Sequence, residues 1–360
     1  MKSQHLKKIP PPIGKIQLKN PFVLAPMAGI TNQSYRKLSA AFGAALTYSE
    51  MASAVALSYQ GKKTLGLLIP QETVVPEIHF ELNEFSYDFG VKVPYAVQLF
   101  GKAPEVMAEA AIKAVELAGA DIIDLNFACP ARKVINSGHG AKLLQDPKVI
   151  LEITEAVARR VTVPVTVKTR PAFERPSDPE KALIYTLGPQ LENCGAQAIT
   201  LHPRYAKEGF TGEADWSIVR TLQSLVKIPV IGSGDINSAE LALERLKESQ
   251  CAYVMLGRAT RGRPWLFAQC VALWEGRPPL EISPEEALKI AIQHARLLHE
   301  EIGHRAAFLL RTVLIWYTKN LPWAAKARNL INHEENVEKQ IEILVRAFRR
   351  AEAEKNFEEP

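Results

Sequence analysis

The sequence predicts an α/β protein: a (β/α)8 TIM barrel over residues 1–280, followed by a small all-helical domain over 281–360. Three observations carry this. Before residue 280, eight short β-rich or apolar runs alternate with helical stretches: Phe22–Ala25, Leu46–Ser49, Tyr95–Leu99, Ile122–Leu125, Val163–Val167, Ala198–Leu201, Val230–Gly232 and Tyr253–Leu256. Several are apolar throughout rather than alternating, which suits strands of a parallel sheet covered by helices. The strand count, with no GxGxxG after the first strand, favours a closed barrel over a doubly wound open sheet.

After residue 280 the pattern is helical. Ser283 suits an N-cap, Pro284 the first helical position, and Glu286 completes a capping box. Leu288, Ala291, Ile292, Ala295, Leu298 and Ile302 recur at steps suited to one inward face, and Gly303 ends the helix. Two further helices are expected at 305–320 and 335–353, separated by Leu321-Pro322. Residues 71–90, where Glu72, Glu77, Glu81, Glu84 and Asp88 interleave with Phe80, Phe85, Tyr87 and Phe89, read as an insertion after the second strand, expected as a hairpin.

Composition narrows the classes. At 47% hydrophobic and 23% charged residues the chain is neither disordered nor fibrous. It lacks the roughly 18 uninterrupted apolar residues of a membrane span, and Met1–Pro12 lacks the apolar core of a signal peptide, so a cytoplasmic monomer without a membrane is expected. The four cysteines are far apart with no CxxC, which argues against a disulfide framework and against a metal. A net charge of +5 permits a nucleic-acid partner without requiring one.

In such a barrel the chemistry lies where strands end. Gly232-Ser233-Gly234-Asp235 and Gly257-Arg258 follow the last two strands, where freed backbone N–H groups and a guanidinium form a phosphate cradle. Glycines alone make tight turns; two such motifs in these two places favour a phosphorylated ligand. Lys168 at a buried strand end requires an anion, and three readings stay open: a Schiff base, a cation holding charge on a cofactor, or a structural ion pair. Gln98 and Met27 are individually uninformative. Cys129, between Ala128 and Pro130 just after a strand, reads equally as a thiol placed over a ligand and as an inert buried thiol, whereas Cys194, Cys251 and Cys270 read as inert.

The ordered runs LAPMAGITNQSYRKL (24–38), Ser49-Glu50-Met51, VQLFG (97–101), ADIIDLNFACPARKV (120–134), GHGAKLL (138–144), VTVKTR (165–170), ITLHPR (199–204), IPVIGSGDI (228–236) and VMLGRATRGRPWLF (254–267) resemble the tRNA-dihydrouridine synthases. The tail, with Trp316-Tyr317 and Lys319-Asn320-Leu321-Pro322, is similar to that family's C-terminal RNA-binding domain. The resemblance implies an enzyme that uses FMN and NADPH to reduce the C5–C6 double bond of particular uridines in tRNA. It places Pro26, Met27 and Ala28 along the isoalloxazine and Gln98 and Lys168 at its polar edge. His202, Ser233, Gly234, Asp235, Gly257 and Arg258 fall at the ribityl phosphate end. Hydride addition at C6 leaves an enolate that needs a proton at C5, and Cys129 supplies it; a free thiol is mostly protonated at neutral pH. Asn126 is expected to bond the uracil, Arg170 and Arg204 to hold the base or its phosphates, and Tyr205 to stack on the extruded base. Lys319, Lys326 and Arg328, with Arg305 and Arg311 and opposed only by Glu301, form the expected phosphate-binding strip.

The sequence departs from the family at Phe127 and Ala128 (usually Met-Gly), Ser233 (usually Asn) and Pro203 (usually Gly), none of which removes a reactive group. Two other classes stay open, a Schiff-base lyase using Lys168 and an RNA-binding protein without turnover. A dihydroorotate-type dehydrogenase is the nearest rival among FMN barrels, and the helical tail disfavours it.

Overall fold

In a computed structural model that describes residues 9–68, 79–82, 85–88, 91–319 and 321–358, the expected strands are β1 (Phe22–Leu24), β2 (Thr47–Tyr48), β3 (Tyr95–Phe100), β4 (Ile122–Asn126), β5 (Val165–Thr169), β6 (Ala198–Leu201), β7 (Val230–Ser233) and β8 (Tyr253–Leu256). They pair in parallel from β2 through β8 and on to β1. Two backbone hydrogen bonds, Leu24 N to Leu46 O (3.0 Å) and Ala45 N to Phe22 O (2.9 Å), join β1 to the start of β2 and bring the barrel to near closure. A short strand, Ala52–Ser53, also pairs with β3.

Alternation along these strands sorts two apolar layers. Val23, Ala96, Ile122, Ala198, Ile231 and Tyr253 pack with Ile13 and Leu18 inside the barrel. Their neighbours Leu24, Val97, Ile123, Ile199 and Val254 pack outward against the helices. By the same parity Gln98, Asp124, Asn126, Thr166, Lys168, Thr200 and His202 point inward.

The fifth strand lies two residues later than expected. Pro164 has no N–H to give the ladder, so pairing starts at Val165 and Lys168 stands within the strand rather than after it. In the 71–90 insertion, His79–Leu82 pairs antiparallel with Phe85–Asp88, the expected hairpin; residues 71–78, 83–84 and 89–90 lie outside the described residues.

Among the described residues the tail forms four α-helices. Besides α1 (Gln33–Ala41) in the barrel layer, we label these α2 (Pro284–Ile302), α3 (Ala306–Tyr317), α4 (Ala324–His333) and α5 (Val337–Glu358). Ser283 and Glu286 form the expected capping box. Helix α4 was not expected. It follows Trp323 in a left-handed conformation with no side-chain cap, so the sequence carries no start signal there. No helix among the described residues is long and apolar enough to cross a membrane.

The tail is tied to the barrel. The Glu301 carboxylate accepts from Gln33 N (3.1 Å) and Ser34 N (2.7 Å) and from the Ser34 hydroxyl, satisfying free donors at the start of α1. Glu301 is therefore not the acid opposing the tail's cations; Glu335 faces Arg311 at 3.8 Å. The Tyr35 ring packs against His294 (5.5 Å) and Trp316 (6.2 Å), and its hydroxyl bonds Thr260 Oγ1 (2.7 Å), which donates to Gly257 O (2.8 Å). Buried residues of α2, α3 and α5 belong to the same apolar cluster as the barrel helices.

Burial pushes His294, bonded to the Tyr317 hydroxyl at 3.1 Å, down to about 3. Its folded value lies below its unfolded one, so as pH falls the unfolded chain takes up the proton first. Stability is complete above about pH 6.5 and drops below it by up to about 1.4 kcal/mol per pH unit. Replacing His294→Leu is expected to flatten that acid limb, read as denaturant midpoints between about pH 7 and 4.

Candidate active site

The inward residues converge at the C-terminal ends of β3 to β8. Strand register sets Gln98 beside Asp124 and Asp124 beside Thr166, with Asn126 beside Lys168. Gln98 Nε2 donates to Asp124 Oδ2 (2.6 Å), Thr166 Oγ1 to Asp124 Oδ1 (2.6 Å), and Asn126 Nδ2 to Gln98 Oε1 (2.8 Å). Asn126 Oδ1 accepts from Ala128 N and Cys129 N, both at 3.0 Å. Asn126 Nδ2 also makes a weak contact with Met51 Sδ at 3.7 Å.

The half-buried Cys129 is held from several sides. Ala141 N donates to its carbonyl (3.1 Å), and a Cβ at Gly140 would come within 2.8 Å of that carbonyl, so the turn packs directly under it. Arg170 Nε donates to Ala128 O (2.9 Å), and its Nη1 donates to the carbonyls of Arg204, Tyr205 and Gly209. Arg170 is 2% exposed, with burial foremost in pushing it down to about 10.

Lys168 is half-buried, and its ammonium makes no hydrogen bond among the described residues. Burial pushes its ammonium below the ordinary value and pushes the Asp124 carboxyl above its own, each charge partly offsetting the other's shift. His202 is pushed down to about 2, by burial first and then by the charges of Lys168, Arg170 and Arg204. It is neutral, so Nδ1 donates to Ser233 O (2.8 Å) and the buried Nε2 has no partner.

Around the last two strands, Arg204 is 3% exposed and donates to Thr211 O (3.2 Å), Gly212 O (2.6 Å) and the Asp235 carboxylate. Burial raises the Asp235 carboxyl, but bonds from Arg204 and Ala214 N, with the nearby Arg258 charge, outweigh it and hold the group below its ordinary range. Asp235 Oδ2 is thus bonded by a cation and an amide, with Arg258 3.8 Å from Oδ1. Gly234 has φ +147 and a Cβ there would meet Ala214 at 2.9 Å, so the turn requires glycine. Ser233 is buried; Gly257 follows β8 against Ala25 and Met27. Pro26 and Met27 are half-buried and Ala28 exposed at the end of β1, where Glu50 accepts from Gly29 N. Arg258 remains half-exposed.

Two placements differ from expectation. Tyr205, expected to stack on a base, is 1% exposed with Arg175 over its ring at 4.8 Å. Arg170 Nε and Nη1 and Arg204 Nε and Nη2 donate to backbone carbonyls and Asp235, and the buried Arg204 Nη1 has no partner among the described residues. Lys319, Lys326 and Arg328 lie on the helical tail, with Lys326 over the Trp323 ring at 5.4 Å. Two features were missed. Asp124 was signalled by a carboxylate at an inward position of an apolar strand. Phe210, 58% exposed, lies 4.6 Å from the Arg258 guanidinium and 6.1 Å from the His202 ring, and nothing in its local sequence marks it.

A family model described as dihydrouridine synthase matches residues 23–353. A probable tRNA-dihydrouridine synthase of Rickettsia bellii is 35% identical over 324 residues, 89% of this chain and 92% of that protein. The tRNA-dihydrouridine synthase B of Pseudomonas aeruginosa is 34% identical over 333 residues, 91% of this chain and 92% of its own. Among solved structures, a 6-hydroxypseudooxynicotine amine oxidase from Pseudomonas geniculata aligns with TM-score 0.54 at 15% identity, over 74% of this chain and 49% of that one. Histamine dehydrogenase from Rhizobium sp. 4-9 gives 0.52 at 13% identity, over 82% and 51%. At these identities the structural likeness speaks to the fold alone.

Proposed function

The chain belongs to the dihydrouridine synthase family, and from that premise we propose that it reduces uridines in tRNA with FMN as cofactor and NADPH as reductant. The observation that carries this is a pair of inward groups without a hydrogen-bond partner among the described residues: the Lys168 ammonium, which has the Asp124 charge nearby to offset it, and the buried Nε2 of His202. They suit a ligand with electron-rich edge atoms and hydroxyls. The Gly234 turn, Ser233, Gly257 and the half-exposed Arg258 suit a phosphate, as backbone donors plus a cation.

In this reading the barrel, residues 1–280, holds FMN, and the helices of 281–360 grip the tRNA through Lys319, Lys326 and Arg328. Pro26, Met27 and Ala28 form the shelf for the ring system, and Gln98 and Lys168 meet its polar edge. Neutral His202 accepts a hydrogen bond from a ligand hydroxyl at Nε2. Asp235, an acceptor held by Arg204, orients Arg258 rather than touching phosphate. When bound, FMN supplies the hydride that C6 of uracil takes up, with NADPH the source of its electrons. Cys129 delivers a proton to C5, so one hydride and one proton complete the reduction. Asn126 trades its weak contact with Met51 for the uracil, and exposed Phe210 replaces Tyr205 as the aromatic that meets the extruded base.

The test is the visible spectrum of the purified protein. A flavin spectrum that bleaches with NADPH under anaerobic conditions and returns with unmodified tRNA is the expected result. A colourless protein that takes up no FMN overturns the cofactor roles of Lys168, Gln98 and Arg258 together. Borohydride trapping of a carbonyl compound on Lys168 would then point to lyase chemistry.

A further inference from the structure

We infer that Asp124 is a positioning residue for Cys129, acting through Gln98 and Asn126 as one polarity-matched relay. The direction of every link follows from groups that cannot reverse. The backbone N–H groups of Ala128 and Cys129 only donate, so Asn126 must turn Oδ1 toward them and Nδ2 toward Gln98. Gln98 must then meet Asn126 with Oε1, which turns Nε2 toward residue 124. Position 124 must therefore accept, and aspartate does so while its other oxygen takes the Thr166 hydroxyl. Gln98, Asp124, Asn126 and Thr166 are 2%, 0%, 5% and 0% exposed, leaving little access for water to substitute for a mismatched link. An inward carboxylate low on β4 thus fixes the backbone on which the thiol is mounted.

The relay can be broken and mended by exchanging its charge. Gln98→Glu alone sets a second carboxylate against Asp124 across a 2.6 Å contact. The Lys168 ammonium and the Tyr48 hydroxyl face Asp124, and the ammonium already offsets the first charge, so the contact survives only while the two carboxylates share a proton. Amide hydrogen exchange of Ala128 and Cys129 in the full-length protein reads the outcome. Their protection is expected to match the unaltered protein at about pH 5 and to fall about tenfold or more toward about pH 8. Adding Asp124→Asn supplies an amide that donates to the new carboxylate and accepts from Thr166, restoring every donor–acceptor pair. The double variant is expected to keep protection within about threefold of the unaltered protein at both pH values.

A pH-independent response in Gln98→Glu, or a double variant that tracks the single one, overturns the relay. Should the single variant be insoluble, a folded and protected double variant supports it, and an insoluble double variant overturns it. Only the use made of the held thiol rests on the dihydrouridine synthase reading. Exchange is measured without FMN or RNA, so a lost relay and a failed tRNA response are separate results.

Discussion

Replacing Cys129→Ala is expected to reduce dihydrouridine formation by roughly 100- to 10,000-fold, the range for loss of a positioned general acid, while FMN binding is unchanged. The separation follows from how the residue is held. Its N–H and carbonyl are bound by Asn126 and Ala141, bonds that alanine keeps, and the groups assigned to the cofactor lie on other strands. What alanine removes is the thiol, Sγ with its proton. Bleaching by NADPH should proceed at the normal rate, and only the return of the flavin spectrum with tRNA should slow. Unimpaired return would assign the C5 proton to another group.

The second large effect is on folding. Arg170→Met is expected to destabilise the protein by about 3–5 kcal/mol, or to leave it insoluble. The side chain is buried, and Nε and Nη1 serve the carbonyls of Ala128, Arg204, Tyr205 and Gly209. Methionine fills the volume but leaves those acceptors unmatched. Arg170→Lys should rescue little, because one ammonium cannot reproduce the spread of the guanidinium fork. Denaturant midpoints of the three proteins decide it. A stable Arg170→Met protein with weakened tRNA affinity would instead make Arg170 a substrate contact.

Much of the fold was legible because burial on both faces leaves a strong mark: the apolar runs locate all eight barrel strands to within a few residues. The helix at Pro284 was legible because its cap is local chemistry, whereas α4 starts on Trp323 in a left-handed conformation with no side-chain cap to signal it. In the candidate site, the strand-end position of Cys129 and the direction of Lys168 follow from period-two alternation and chain order. The commitments of Arg170 and Arg204 do not. Whether a guanidinium faces a ligand or a loop carbonyl depends on the path of the 204–212 loop, which brings its carbonyls back across the barrel mouth. The exposure of Phe210 and burial of Tyr205 are decided by the same path, five residues apart in one loop.

The contacts of Glu301 and Tyr35 limit how freely the chain can be recombined. A cut near residue 280 would not yield a self-sufficient barrel: it would leave the start of α1 without its carboxylate and Tyr35 without the rings of His294 and Trp316. Tyr35 also steadies Thr260, and through it the Gly257 carbonyl. A tail grafted from a relative would therefore have to supply its own counterparts of Glu301, His294 and Trp316. Tail and barrel are interchangeable only as a matched set.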